Sequence, residues 1–118
     1  KGGFNDKQIE VKKDLVLLKP AGVENKRMLQ SHKGIIAMRD SVNKLTFAKK
    51  IDFDPAGQYP LNTNIAFYIG PKNFMVEMET MGPEETIKPG ATLHHVETWK
   101  LVPEAIRFSK AANISDLF

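Results

Sequence analysis

The chain contains no cysteine. That excludes disulfides, thiolate catalysis and cysteine-bound zinc, and leaves the redox compartment undetermined. No apolar run reaches the roughly 20 residues that a membrane-spanning helix needs, and no signal peptide is visible. The first residue is Lys rather than Met. The expectation is therefore a fragment or a processed product, and a periplasmic or secreted location stays open if a leader was removed. Aromatic residues make up 8% of the chain, and no aromatic platform is interleaved with the bases as single-strand readers use. Charge of one sign is also scarce, since the net charge is +3. Lys12–Lys13, Lys26–Arg27 and Lys49–Lys50 are short pairs with acidic residues between them. They read as solvated faces, so neither a nucleic acid nor a membrane is an expected partner. Internal repeats and low-complexity tracts are absent.

What is present is a succession of short apolar runs punctuated by Gly, Pro and Asn. The 118 residues suit one domain with a modest core. Residues 1–7 are glycine-rich and polar, and read as a flexible lead-in. Residues 8–18 read as strands ended by Lys19-Pro20-Ala21-Gly22, with a short helix as the alternative for 15–18. Residues 23–33 are charged and read mostly as loop. Residues 34–39 and 44–53 read as a hairpin turning at Asp40-Ser41-Val42-Asn43. Asp54-Pro55-Ala56-Gly57 is a turn, 65–69 a strand, and Gly70-Pro71-Lys72-Asn73 a second turn. Residues 74–81 and 93–101 read as further strands, on either side of Gly82-Pro83 and Pro89-Gly90. Residues 103–118 form a tail or short helix, packing through Ile106, Phe108, Leu117 or Phe118. Asn113-Ile114-Ser115 matches a glycosylation sequon, a triplet that chance often supplies. The fold class is all-β, an antiparallel sandwich over residues 8–102.

Residues 74–101 carry most of the chemistry. Alternation puts Phe74, Val76, Met78 and Thr80 on one face, and Met75, Glu77, Glu79 and Met81 on the other. In the later strand Leu93, His95, Glu97, Trp99 and Leu101 share a face. Ionisable groups among large apolar ones mark either a cleft wall or a sheet rim. On the rim reading, Glu79 pairs with a lysine such as Lys100. Glu77, Glu79, His95 and Glu97 could converge on a hard or borderline cation, but no spacing is diagnostic and no metal or cofactor is assigned. Trp99 reads as core or as a sugar-stacking platform. Phe47, Phe53, Phe67, Phe74 and the methionines read as core.

Several motifs in order from residue 34 to residue 101 resemble the C-terminal half of a galactose-mutarotase-like protein. They are Gln58-Tyr59-Pro60, Asn64-Ile65-Ala66-Phe67-Tyr68, Met75-Val76-Glu77-Met78-Glu79-Thr80-Met81-Gly82-Pro83, Lys88-Pro89-Gly90 and His95-Val96-Glu97-Thr98-Trp99-Lys100-Leu101. The resemblance is strongest to an uncharacterised branch of that superfamily. It implies part of a large antiparallel supersandwich whose concave face binds sugars. Members are more than twice this length, so the implied partners are a missing N-terminal half or a second copy of the chain, besides a carbohydrate ligand.

Aldose 1-epimerases of that superfamily open a sugar hemiacetal with a carboxylate base and a histidine acid. Met78-Glu79-Thr80-Met81 is similar to the run that holds the base, with Met81 where the enzymes have Gln. The resemblance thus implies Glu79 as the base; Glu77, two residues away on the same face, is the second candidate, and Trp99, through its indole face, with His95 and Glu97 beside it, reads as substrate-binding. The enzymes draw their histidines from earlier strands, in surroundings not found here. The expectation is a carbohydrate-binding or carbohydrate-processing domain. The alternative is a non-catalytic structural or interaction module.

Overall fold

The computed structural model describes residues 6–118. It is all-β and antiparallel, with three sheets and one short helix. Strands β1 (Ile9–Val11) and β2 (Val16–Leu18) pair as a hairpin. Strands β3 (Asn25–Leu29), β6 (Ile65–Ile69) and β7 (Val76–Thr80) form one sheet in the order β3-β6-β7. Strands β4 (Ile35–Asp40), β5 (Leu45–Lys50) and β8 (Thr98–Val102) form the other, in the order β4-β5-β8.

The sheet β3-β6-β7 has two unlike faces. Its register aligns Arg27, Phe67 and Met78, and two residues away Leu29, Ile65 and Thr80. Ile65, Phe67 and Ile69 on this face are buried, so it faces the core. The other face carries Lys26, Met28, Ala66, Tyr68, Glu77 and Glu79, the polar-out alternation of a half-solvated antiparallel sheet.

Strand β3 lies where a loop was expected. Its Lys and Arg hide the strand in the sequence, yet Lys suits an edge position by discouraging further strand addition. Buried polar side chains tie its ends. The Asp6 carboxylate accepts from the Asn25 amide, the Gln8 backbone N–H and Gln8 Nε2. Gln8 Nε2 also donates to the Val23 carbonyl at 2.8 Å, and its Oε1 accepts from Ala21 N–H at 2.6 Å. Asp6 of the expected lead-in is therefore an integral part of this knot, while residues 1–5 of that segment lie outside the described residues.

In the sheet β4-β5-β8, one face holds the fully buried Thr46 and Ala48. The C-terminal segment covers it. Thr46 Oγ1 donates to the Glu104 carbonyl at 2.6 Å and accepts from Ile106 N–H at 2.9 Å. Helix α1 (Ala112–Ser115) lies against β4 and buries Ile114. The buried residue of the tail is thus Ile114, not one of Ile106, Phe108, Leu117 and Phe118, and its one helical turn lies nine residues beyond Pro103 rather than at it. Asn113 of the sequon lies within this turn and folds back on the segment before it, its Oδ1 accepting from Ser109 and Lys110 N–H.

The hairpin turn forms as read, Asp40 Oδ1 accepting from Val42 and Asn43 N–H. Two strands are shorter than expected, β7 beginning at Val76 and β8 at Thr98. For β8 the cause is plain. The β5–β8 pairing stops at Lys50–Thr98, where β5 itself ends, while Ile51 N–H carries the pairing with β4 one step further, to the Gly34 carbonyl at 3.0 Å. Residues 93–97 then have no strand to pair with.

Candidate functional site

Strands β7 and β8 belong to different sheets, and this separates the candidate residues into two sets. Glu79 stands on the polar face of β3-β6-β7. Both its oxygens accept from Lys26 Nζ, at 2.8 and 3.0 Å, so its lysine is the one across the sheet on β3 and not Lys100. Glu77 lies directly opposite Tyr68 on the same face. The Tyr68 hydroxyl donates to Glu24 Oε1 at 2.9 Å. That bond, with burial and the charges of Glu24 and Glu77, pushes the phenol above its ordinary value. Carboxylate, ammonium, phenol and an aromatic ring thus share one half-exposed surface with Ala66 as its floor.

His95, Glu97 and Trp99 lie on the far side of β7. Thr80, next to Glu79 in sequence and opposite to it in direction, is their meeting point. Its hydroxyl donates to Glu97 Oε1, and Thr80 Oγ1 and His95 Nε2 are 2.8 Å apart. A hydroxyl has one proton, and an ionised carboxylate is the stronger acceptor. Nε2–H of His95 is therefore the donor to Thr80. That polarity is the reverse of a histidine activating a hydroxyl nucleophile.

Glu97 Oε2 accepts from the Trp99 indole N–H at 2.6 Å, and Lys49 Nζ lies 3.4 Å from Oε1. Lys49 also donates to the Met78 carbonyl at 2.9 Å. Burial pushes the Glu97 carboxyl up, but the bonds from Thr80 and Trp99 and the Lys49 charge together outweigh it, and the net shift is downward. This cluster rivets the two larger sheets together. Trp99 is 62% exposed, which corrects the core reading. Phe47 meets it edge-on with centroids 5.4 Å apart, and Lys49 sits 5.8 Å from its ring centre. Phe74, 67% exposed, likewise leaves the expected core, whereas Phe67 is buried.

Beside the rivet runs an open groove lined by Asp52, Gly82, Glu85, His94 and His95. Among the described residues no group of three or more His, Asp or Glu is placed to hold a metal ion. The convergence of Glu77, Glu79, His95 and Glu97 on a cation does not occur, because β7 stands between the two pairs. His32 stacks on Phe53 with centroids 5.0 Å apart.

Sequence reasoning missed Lys26, Glu24 and Tyr68 as neighbours of Glu77 and Glu79. Reading β3 as loop removed the strand that brings Lys26 across. Thr80 and Lys49 were missed as well. Parity placed Thr80 opposite Glu79, but nothing local announces that a second sheet docks there.

No protein-family model, curated protein or solved structure matches the chain. No helix among the described residues is long and apolar enough to cross a membrane.

Proposed function

We propose that the chain is a carbohydrate-binding β-domain whose binding surface is the polar face of β3-β6-β7. The observation that carries this reading is the register that gathers Lys26, Tyr68, Glu77 and Glu79 on one half-exposed face. A sugar offers adjacent hydroxyls and an apolar C–H face. Carboxylates accept from the hydroxyls, Lys26 donates to them, and the Tyr68 ring receives the C–H groups. The Lys26–Glu79 pair holds both side chains in place before a ligand arrives, which lowers the ordering cost of binding. The resemblance of the Glu79 run to the sugar epimerases supports the same ligand class.

Epimerisation is a further demand. It needs a base and an acid on opposite sides of the ring oxygen and anomeric hydroxyl. Among the described residues Glu79 is bonded to Lys26, His95 is committed to Thr80 behind the strand, and His32 is stacked on Phe53. Binding without turnover by this chain alone is the function these positions favour.

An NMR titration with monosaccharides and uronic acids tests it, with anomeric exchange followed in the same tubes. Saturable shifts should cluster at Lys26, Tyr68, Glu77 and Glu79. Glu79→Gln and Tyr68→Ala should each weaken binding by roughly 10-fold, the loss of about one charge-assisted hydrogen bond or of the stacking ring. Exchange should not accelerate. Shifts confined to Trp99 and His95 would move the site to the other side of β7. No shifts at millimolar sugar would end the proposal.

A further inference from the structure

The polar face of β3-β6-β7 is uneven in charge. Strand parity and the Tyr68–Glu24 bond place Glu24, Lys26, Tyr68, Glu77 and Glu79 on it, three carboxylates against one ammonium. Lys26 reaches across the sheet to both oxygens of Glu79, and that pair is neutral. Two negative charges are left, Glu24 at the β3 side of Tyr68 and Glu77 at the β7 side. Neither has an ion-pair partner among the described residues. Both are half-buried, and both charges act on the phenol between them.

The same face is short of donors. The Tyr68 hydroxyl gives its one proton to Glu24 Oε1 at 2.9 Å, and Lys26 is engaged with Glu79. What remains is acceptor oxygen, Oε2 of Glu24 and both oxygens of Glu77, since an ionised carboxylate can only accept. A ligand that completes this face has to bring donors and positive charge.

We infer that the Glu24–Tyr68–Glu77 end of this face is a subsite for a primary ammonium group, so that the sugars it selects are amino sugars. The step from ammonium to amino sugar rests on the sugar reading of the face. In place of one hydroxyl an ammonium offers three donors and a charge, and a tyrosine ring attracts it electrostatically. The sugar's other hydroxyls are left for Lys26 and Glu79. A metal ion is a poorer occupant, because among the described residues no third carboxylate or imidazole joins these two to hold one. A uronate would bring its carboxylate up against two others. The chain as a whole carries +3, so its overall field favours anions, and a preference for ammonium has to come from this face.

Chemical-shift titrations of the 118-residue chain with glucosamine, glucose and glucuronate test this, at about pH 6, where an amine is charged. Cyclohexylamine serves as an ammonium that is not a sugar. Glucosamine should bind roughly 10-fold more tightly than glucose, the combined effect of two exposed ion pairs and a cation–π contact. Glucuronate should bind more weakly than glucose, and the preference for glucosamine should shrink at about 0.5 M salt. Glu77→Gln should lower the glucosamine-to-glucose ratio by about 3-fold, and so should Glu24→Gln, which keeps an acceptor for Tyr68. Glu10→Gln, on the β1–β2 hairpin and paired there with Lys12 and Lys19, should leave the ratio where it was. Equal affinities for glucosamine and glucose would overturn the subsite and leave the sugar reading standing. A preference that survives both glutamines would also overturn it. Shifts at Tyr68 and Glu77 with both amines, and none with glucose, would support the subsite and end the sugar reading. No shift with any of the four would end both.

Discussion

Asn64 shows how one side chain can do the work of a strand end. It is fully buried, its Oδ1 accepts from Ser31 N–H at 2.7 Å, and its Nδ2 donates to the Ser31 carbonyl at 2.8 Å. The amide thus imitates a peptide group and closes the β3–β4 connection onto the start of β6. Its own backbone continues the pattern, N–H to the Leu29 carbonyl and C=O from Met81 N–H. Asn64→Ala would strand both Ser31 groups without partners. It should cost about 2–3 kcal/mol, the penalty for orphaned polar groups in a protein interior, read as a lower urea midpoint at constant m. Asn64→Asp keeps the acceptor and, where its carboxyl is neutral, offers an O–H donor in place of the amide, so at such a pH it should fall between alanine and wild type, and ionisation should remove that donor. In the sequence, Asn62-Thr63-Asn64 looks like a plain turn signal. Nothing distinguishes the buried asparagine from its exposed neighbour Asn62, because the partner lies 33 residues away.

At the scale of elements, legibility followed locality. The β4–β5 hairpin, β6 and the two Gly/Pro turns around it need only nearby residues, and their patterns announced them. Strand β3 needs β6, whose partner residues begin at Ile69 opposite Asn25, and a charged stretch gives no hint of that pairing. Strand β8 needs β5, and its length is set by where β5 stops. Gly34 helps set that point. It has φ +62, and a Cβ there would fall on the Ile51 carbonyl oxygen, inside contact distance of backbone. Gly34 and Ile51 are joined by the bond that ends the β4–β5 ladder. Gly34→Ala should therefore cost roughly 3 kcal/mol, near the upper end for single substitutions, because the strain cannot relax into a flexible side chain. Gly90 is the comparison. Its φ is +83 but nothing lies within 4 Å of an added Cβ, so Gly90→Ala should cost only about 1–2 kcal/mol of left-handed backbone strain. Equal losses in urea melts of the two variants would mean that backbone conformation, not the close approach, decides Gly34. The candidate site divides on the same principle. That Glu77 and Glu79 oppose Thr80 was legible from strand parity; that His95 and Glu97 come to Thr80 depends on two sheets meeting.

At the scale of the whole molecule, that meeting rests on few polar bonds, and pH should loosen it. Glu97 holds Thr80 of one sheet and Trp99 and Lys49 of the other. Its carboxyl titrates below its ordinary value of 4.5, so the unfolded chain binds the proton more tightly than the folded one. The stabilisation is complete above that ordinary value and disappears as pH falls through the folded one. Asp6 and Asp40 are shifted the same way, by hydrogen bonds from Gln8 and Asn25 and from Asn43, so they add to the acid slope without crossing between sheets. Glu97→Gln separates the contributions. It keeps an acceptor for Thr80 but leaves Lys49, only 16% exposed, with the Met78 carbonyl alone. The variant should be less stable than wild type at pH 7 by about 1–3 kcal/mol, and the difference should shrink as pH falls below the ordinary carboxyl range. Hydrogen exchange locates the effect. In the variant, amides of β8 and β5 should lose protection before those of β6, because the sheet β4-β5-β8 can then open while the core face of β3-β6-β7 stays closed. A uniform loss across both sheets would mean that they unfold as one body and that the Glu97 cluster is one bond set among many. Acid slopes that coincide for wild type and variant would remove Glu97 from the pH response and leave it to Asp6 and Asp40.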